Sequence, residues 1–260
     1  MKCLTWSFGQ KILIFLIAAA QNWNFKKQII LMKRSEINTI ILEAKEMIKS
    51  FGHHLPDFAY WSADKFKEKQ VEAKEIIQAG CGWDITDYGR GNFNATGLFL
   101  FTLRNGRLAD LAKGKGMCYA EKLLISRHNQ LAPMHTHIKK AEDIINRGGA
   151  SLAVEIFGSD QQGNYDEQRG GFVYCDGIER SFSPGEIIIL KPGQSITLLP
   201  GDWHAFWGHD GDVLVGEVST VNDDLEDNIF RDKVSRFSDI DEDTAPIHLL
   251  VSDYTKWLNA

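Results

Sequence analysis

Cysteine is scarce in this chain, which has 4 in 260 residues, at Cys3, Cys81, Cys118 and Cys175. No pair has the CxxC spacing of a zinc knuckle or a redox site, and the number is too small for a disulfide-stapled fold, so they read as reduced thiols. Positive charge is not in surplus: the formal net charge of -6 argues against nucleic acid as the main partner. No helix-turn-helix pattern is present either. Phosphate-cradling loops are missing as well, because no glycine cluster fits G-x-x-x-x-G-K-[ST] or a G-x-G-x-x-G that opens a helix. Long apolar runs are absent; the run from Ile12 to Ala20 behind Lys11 has the layout of a short secretory signal and is too short to cross a membrane. Residues 1–31 therefore read as a non-native extension or signal-like segment ahead of a start at Met32. A periplasmic location is expected only if residues 1–20 act as a signal peptide.

What is present is an apolar fraction of 43% beside 25% charged residues, ordinary for a globular protein with a sizeable core. Residues 32–260 read as one domain, without linkers or internal repeats. Its first part is helical. Ile37, Ile40, Ile41, Ala44 and Ile48 recur at helical spacing, with Ser35 as the expected cap and Gly52 as the stop. A second helix is expected from Ser62 to Gln78, which places helices over about 33–78.

From Gly80 onward the texture changes to short β-type runs between turn residues, the pattern of a barrel or sandwich. Asn105-Gly106 and Asp176-Gly177 each predict a tight hairpin. Separate strands are expected at 150–157, 205–207 and 213–218, among others.

The run from Pro133 to Glu142 carries the chemistry. Residues i and i+2 of a strand share a face, so His135 and His137 can converge, and a short turn can bring Glu142 beside them. His204, where a turn re-enters a strand, is the expected fourth ligand. Three imidazoles and one carboxylate suit a single divalent ion such as Mn, Co, Zn or Fe.

The His-x-His-x4-Glu run with Gly149, and Gly201-x-x-His204, resemble the two cupin motifs. The glycine that usually precedes the first motif is here Asn129. From Met32 to the C-terminus the chain is similar to the bacterial D-lyxose isomerases, through the runs 133–142, 199–204 and 216–224. The resemblance implies a mainly β fold, a cupin (jelly-roll) barrel behind a small N-terminal helical segment. It further implies a cytoplasmic, homodimeric aldose–ketose isomerase with manganese in first place, acting on a free monosaccharide: D-lyxose to D-xylulose, and often D-mannose to D-fructose.

Such a reaction needs a base that reaches carbon and an acid or cation that serves oxygen. Glu217, inside an apolar strand, is the first candidate for the base, the alternative being a paired structural carboxylate. Lys122, on a face with Cys118, Ala120 and Leu124, is the candidate cation unless it points outward from an edge. Glu155 is the reserve for either role. Asp223, Asp224 and Asp227 in the acidic run, with Trp203, are the expected sugar contacts, and Arg231 and Arg236 are expected to pair with that run on the surface. Two other readings remain open: a cupin phosphosugar isomerase, for which Lys139, Lys140 and Arg147 supply charge, and an iron-dependent cupin oxygenase.

Overall fold

The structure, a computed structural model, describes residues 31–224 and 226–258. The expectation for residues 1–31 falls almost wholly outside the described residues. In chain order the elements are β1 (Met32–Lys33), α1 (Arg34–Ser50), a 3-10 turn (Asp57–Tyr60), α2 (Ala63–Lys69), α3 (Lys74–Gln78), β2 (Gly82–Thr86), β3 (Leu98–Arg104) and α4 (Leu108–Leu111). There follow β4 (Tyr119–Ser126), β5 (Ala132–His137), β6 (Glu142–Phe157), β7 (Gly171–Cys175), β8 (Ile178–Phe182), β9 (Glu186–Leu190), β10 (Ser195–Leu198) and β11 (Trp203–Thr220). Last come β12 (Asn228–Phe230), β13 (Ile240–Asp241), a second 3-10 turn (Val251–Asp253) and α5 (Tyr254–Trp257). No helix among the described residues is long and apolar enough to cross a membrane.

Two long bent strands make the barrel. The first half of β11 pairs with β5 and the second half of β6, while its second half pairs with β4 and the first half of β6. The register shifts between His209 and Val213, next to the left-handed Asp210 and opposite Gly149. A Cβ at Gly149 would collide with the Asp212 carbonyl oxygen, so glycine is what lets the two bends cross. Sequence patterning splits these segments into shorter strands because the polar residues at the bends look like turns. The backbone ladder in fact runs through them.

Alternation on β3 explains why its sequence is apolar throughout. Leu100 joins Leu124, Ile144, Val154, Ile196 and Phe206 inside the barrel, whereas Phe99 and Phe101 face outward and meet Ile37, Ile41 and Ile48 of α1. The helix thus closes the outer face of the β2-β3-β4 layer and leaves the barrel interior free for the site.

Several local expectations are corrected. The N-cap of α1 is Lys33 rather than Ser35, and the Asp243 carboxylate accepts the Ser35 N–H at 2.9 Å, doing the capping from a distant segment. The stretch 62–78 forms two helices, since a single apolar stripe cannot hold both Phe66, which is buried, and Val71, which is 85% exposed. Asp176-Gly177 does form the tight hairpin between β7 and β8, with φ of 50 and 78°. Asn105-Gly106 does not. The Asn105 amide donates to the Ala79 and Asn222 carbonyls, and the chain continues into α4 before β4 pairs back. The cupin-motif glycine replaced by Asn129 remains a left-handed position, with φ of 56°. Asparagine is among the few residues that tolerate it.

Arg34 anchors α1 to the C-terminal segment: its buried guanidinium donates to Asp253 at 2.8 Å and to Glu242 at 2.8 Å. Hydrogen bonds from Arg34 hold the Glu242 carboxyl down at about 2, against the opposing effect of burial and with help from Lys256. A carboxyl whose folded pKa is depressed stabilises the fold above its unfolded value and loses that contribution as pH falls toward the folded one. Glu242→Gln should therefore lower the melting temperature at about pH 6, with the gap to wild type narrowing toward about pH 3. Thermal melts across that range would show it, and a gap independent of pH would contradict it.

Candidate active site and metal centre

His135 and His137 lie on β5, His204 opens β11 directly across from His135, and Glu142 opens β6 after the turn 138–141. One ligand atom from each of the four residues lies within 4.8 Å of the others. His135 Nδ1 is 2.8 Å from the Pro133 carbonyl and His204 Nδ1 is 3.0 Å from that of Asp202. A carbonyl only accepts, so both rings carry a proton on Nδ1 and turn Nε2 inward.

The electrostatics fit a cation. Burial pushes the His135 imidazole well below its usual range, and the neighbouring His204 and His137 push the same way, so it is neutral. Burial lowers His137 also, against the pull of Glu142. Burial works to raise Glu142, but Lys140 and His137 outweigh it and hold this carboxyl well below the ordinary carboxylate range. Glu142 Oε1 lies 3.2 Å from both His137 Nε2 and His204 Nε2. None of these three atoms has a hydrogen-bond partner. Buried polar atoms that converge without partners cost stability, and a cation among them would offset it. The donor set and its geometry fit a divalent metal ion.

A second cluster adjoins the first. Glu217 and Lys122 are direct neighbours across β11 and β4, with Lys122 Nζ 3.0 Å from Glu217 Oε1. Lys140, which sequence reasoning took only as flanking charge, is buried in the turn after β5, with its ammonium 3.0 Å from Glu217 and 2.6 Å from Glu142 Oε2. Burial raises the Glu217 carboxyl, but Lys122 and Lys140 prevail and hold it below its ordinary value. Lys122 also donates to Asn222 Oδ1 at 2.8 Å. Both ammoniums are thus occupied by carboxylates, while Lys139 and Arg147 are exposed, so these residues form no phosphate cradle at the site.

The cleft above the ligands is lined by Lys122, Glu217, Asp224, Phe206, Phe230 and Arg236, among others. Of the four expected sugar contacts, Asp224 lines it and the other three do not. Trp203 sits on the opposite face of β11 from His204 and packs with Met134, Phe157 and Tyr165. Asp227 accepts the backbone N–H groups of Ile138, Lys139 and Lys140 and so fixes the turn that carries Glu142. Asp223 borders a different cleft, beside Asn105 and Arg107. Glu155, opposite Ala205 and Ile187, lies on the outer side of the barrel wall, since its neighbours Val154 and Ile156 fill the interior; it cannot reach the ligands.

Arg236 is not the exposed partner that the acidic run suggested. It reaches into the barrel and joins Asp84 at 2.6 Å and Asp224 at 3.2 Å. Arg231 is on the surface but pairs with Asp232, outside the acidic run. The signal for Asp84 was available: an acid inside the apolar strand Gly82–Thr86 is the same anomaly that picked out Glu217.

A jelly-roll barrel with three histidines and one glutamate at its mouth has the cupin fold, with a set of side chains that could hold a metal ion. The same architecture is seen in the L-ribose isomerase of Cellulomonas parahominis in complex with L-psicose, with a TM-score of 0.51 at 17% identity over 82% of this chain and 99% of that one. A model of the D-lyxose isomerase family matches residues 32–254. The D-lyxose/D-mannose isomerases of Serratia proteamaculans and Escherichia coli O157:H7 are each 42% identical over 87% of this chain and 100% of their own length. The chain belongs to the D-lyxose isomerase family.

Proposed function

We propose that this protein is a metal-dependent aldose–ketose isomerase that interconverts D-lyxose with D-xylulose and D-mannose with D-fructose, the ketoses formed when the carbonyl moves from C1 to C2. The observation that carries the reading is the meeting, in one cleft, of the His135, His137, Glu142 and His204 group with a buried carboxylate, Glu217, held between two ammoniums. Family membership supports the sugars, and manganese as the ion, a homodimeric assembly and a cytoplasmic location belong to the same reading.

His135, His137, Glu142 and His204 would hold a divalent cation, which would supply Lewis-acid polarisation of sugar oxygens. Glu217 takes the proton from C2 of the aldose and delivers a proton to C1, while a second proton passes from O2 to O1, with the sugar going through an enediolate. Lys122 and Lys140 keep the resting carboxyl ionised, so it begins as a base. Their ammoniums also stand where negative charge develops on oxygen, and Lys122 is held on station by Asn222. Phe206 and Phe230 line the cleft and exclude water.

An oxygenase with the same ligands has no need of Glu217. Incubating the manganese-loaded protein with free aldoses under anaerobic conditions separates the two: ketose formation from D-lyxose and D-mannose is expected at full rate. Dependence on dioxygen, or turnover of phosphorylated sugars alone, would sink the proposal.

A further inference from the structure

The catalytic groups account for one side of the cleft only. Behind the other side stands Asp84 on β2, three strands along the sheet from β11 and joined to the cleft through its ion pair with Arg236. Asp84 lies across from Leu100, and Leu100 across from Leu124; both leucines line the cleft, so the row they share faces the barrel interior. Phe230 stands between this side and the histidines, its ring 5.5 Å from His135 and 5.7 Å from Tyr88. Arg236, which also lines the cleft, is clasped by Asp84 and Asp224.

Two polar atoms of this assembly are buried without any hydrogen-bond partner, Asp84 Oδ1 and Arg236 Nη1. The Asp84 side chain is only 2% exposed. Arg236 Nη1 donates, while burial pushes the Asp84 carboxyl up against the pull of Arg236, so that Asp84 Oδ1 accepts when ionised and donates when protonated. A hydroxyl group both accepts and donates, so sugar hydroxyls suit either atom. Two carboxylates against one guanidinium also leave no surplus positive charge, which favours neutral hydroxyls over a phosphate.

We propose that Asp84, Arg236 and Asp224 form the subsite for the hydroxyls at the far end of the sugar, C4 and beyond, and set the requirement for an unphosphorylated terminus. The proposal builds on the isomerase reading by naming the part of the substrate that each side of the cleft takes. Glu217, Lys122 and the metal ligands handle C1 and C2. The Asp84 side positions the chain so that C2 meets Glu217.

The test compares kcat/KM for D-lyxose, 4-deoxy-D-lyxose and 5-deoxy-D-lyxose in the wild type, Arg236→Gln and Asp84→Asn. Wild type should lose about 100-fold or more with one of the deoxy sugars, because a site built to bond a hydroxyl rejects the analogue that lacks it. Each variant should lose a comparable factor on D-lyxose and less than about 3-fold further on that deoxy sugar, as expected of groups that share one interaction. Losses that multiply on both deoxy sugars would overturn the proposal. Asp84→Asn preserves side-chain shape and an acceptor for Arg236, so it carries the test if Arg236→Gln does not fold. D-mannose 6-phosphate should be a far poorer substrate than D-mannose, and equal use of the two would overturn the charge argument. If wild type turned over no free aldose, the isomerase reading would fall, and the subsite would still be tested by calorimetry with the alditol of D-lyxose. Asp84→Asn should weaken that binding about 10-fold, roughly the effect of losing one buried hydrogen bond, and unchanged affinity would overturn it.

Discussion

Replacing Glu217 by Gln lowers kcat for D-lyxose by about a thousand-fold or more while the protein keeps its metal and its fold. The magnitude follows from the role: a positioned base contributes about 100- to 10,000-fold, and here no second carboxylate stands ready to replace it. Glu155 is on the outer side of the wall, Glu142 is committed to the metal group and to Lys140, and Asp224, which also lines the cleft, is paired with Arg236. The substitution is nearly isosteric and removes the charge that Lys122 and Lys140 face. Some loss of stability is therefore expected beside the loss of rate, and melting curves would measure it separately. Survival of more than about a tenth of the activity would be incompatible with a general base at this position.

Replacing His204 by Ala abolishes both metal retention and turnover. His204 is 1% exposed, joins the two halves of the ligand set across β5 and β11, and has its Nδ1 fixed by the Asp202 carbonyl. Loss of one ligand of four from a preorganised site leaves three donors and a cavity, and tight binding of a divalent ion depends on the full set. Elemental analysis should find about one ion per chain in wild type and little in the variant. Chelation of the wild type should remove activity in parallel, with manganese restoring it. Equal metal content in the two proteins would mean that His204 is not a ligand.

The part of this site that could be read from the sequence is the part whose residues are close together or carry an unmistakable type. His135 and His137 declare themselves through period-two spacing in a strand. Glu217 does so as an acid where every neighbour is apolar. Lys140 and Arg236 did not, because a lysine or arginine beside acidic residues usually marks a solvated face. Their burial depends on barrel closure: Lys140 is drawn in where Asp227 fixes the turn, and Arg236 meets Asp84 across 152 positions of sequence. Trp203 erred the other way. Its neighbour His204 is a ligand, and in a strand that adjacency places the indole on the opposite face. At the level of fold, apolar alternation and glycine turns pointed to a barrel or a sandwich, and the resemblance of the two motifs to cupins chose the barrel. The continuous runs of β6 and β11 were not legible, since their bends carry the same residues as turns and only long-range pairing shows that the ladder continues.

The central claim is that Glu217 moves a proton between C1 and C2 of a free aldose. Isotopic analysis of the D-xylulose formed from D-lyxose in deuterium oxide, without oxygen and with manganese loaded, tests it most directly. The account predicts ketose that carries solvent deuterium at C1, since the proton resides on an exchangeable carboxyl during transfer. Ketose that carries none even at equilibrium would indicate a hydride shift and contradict it, as would the absence of ketose.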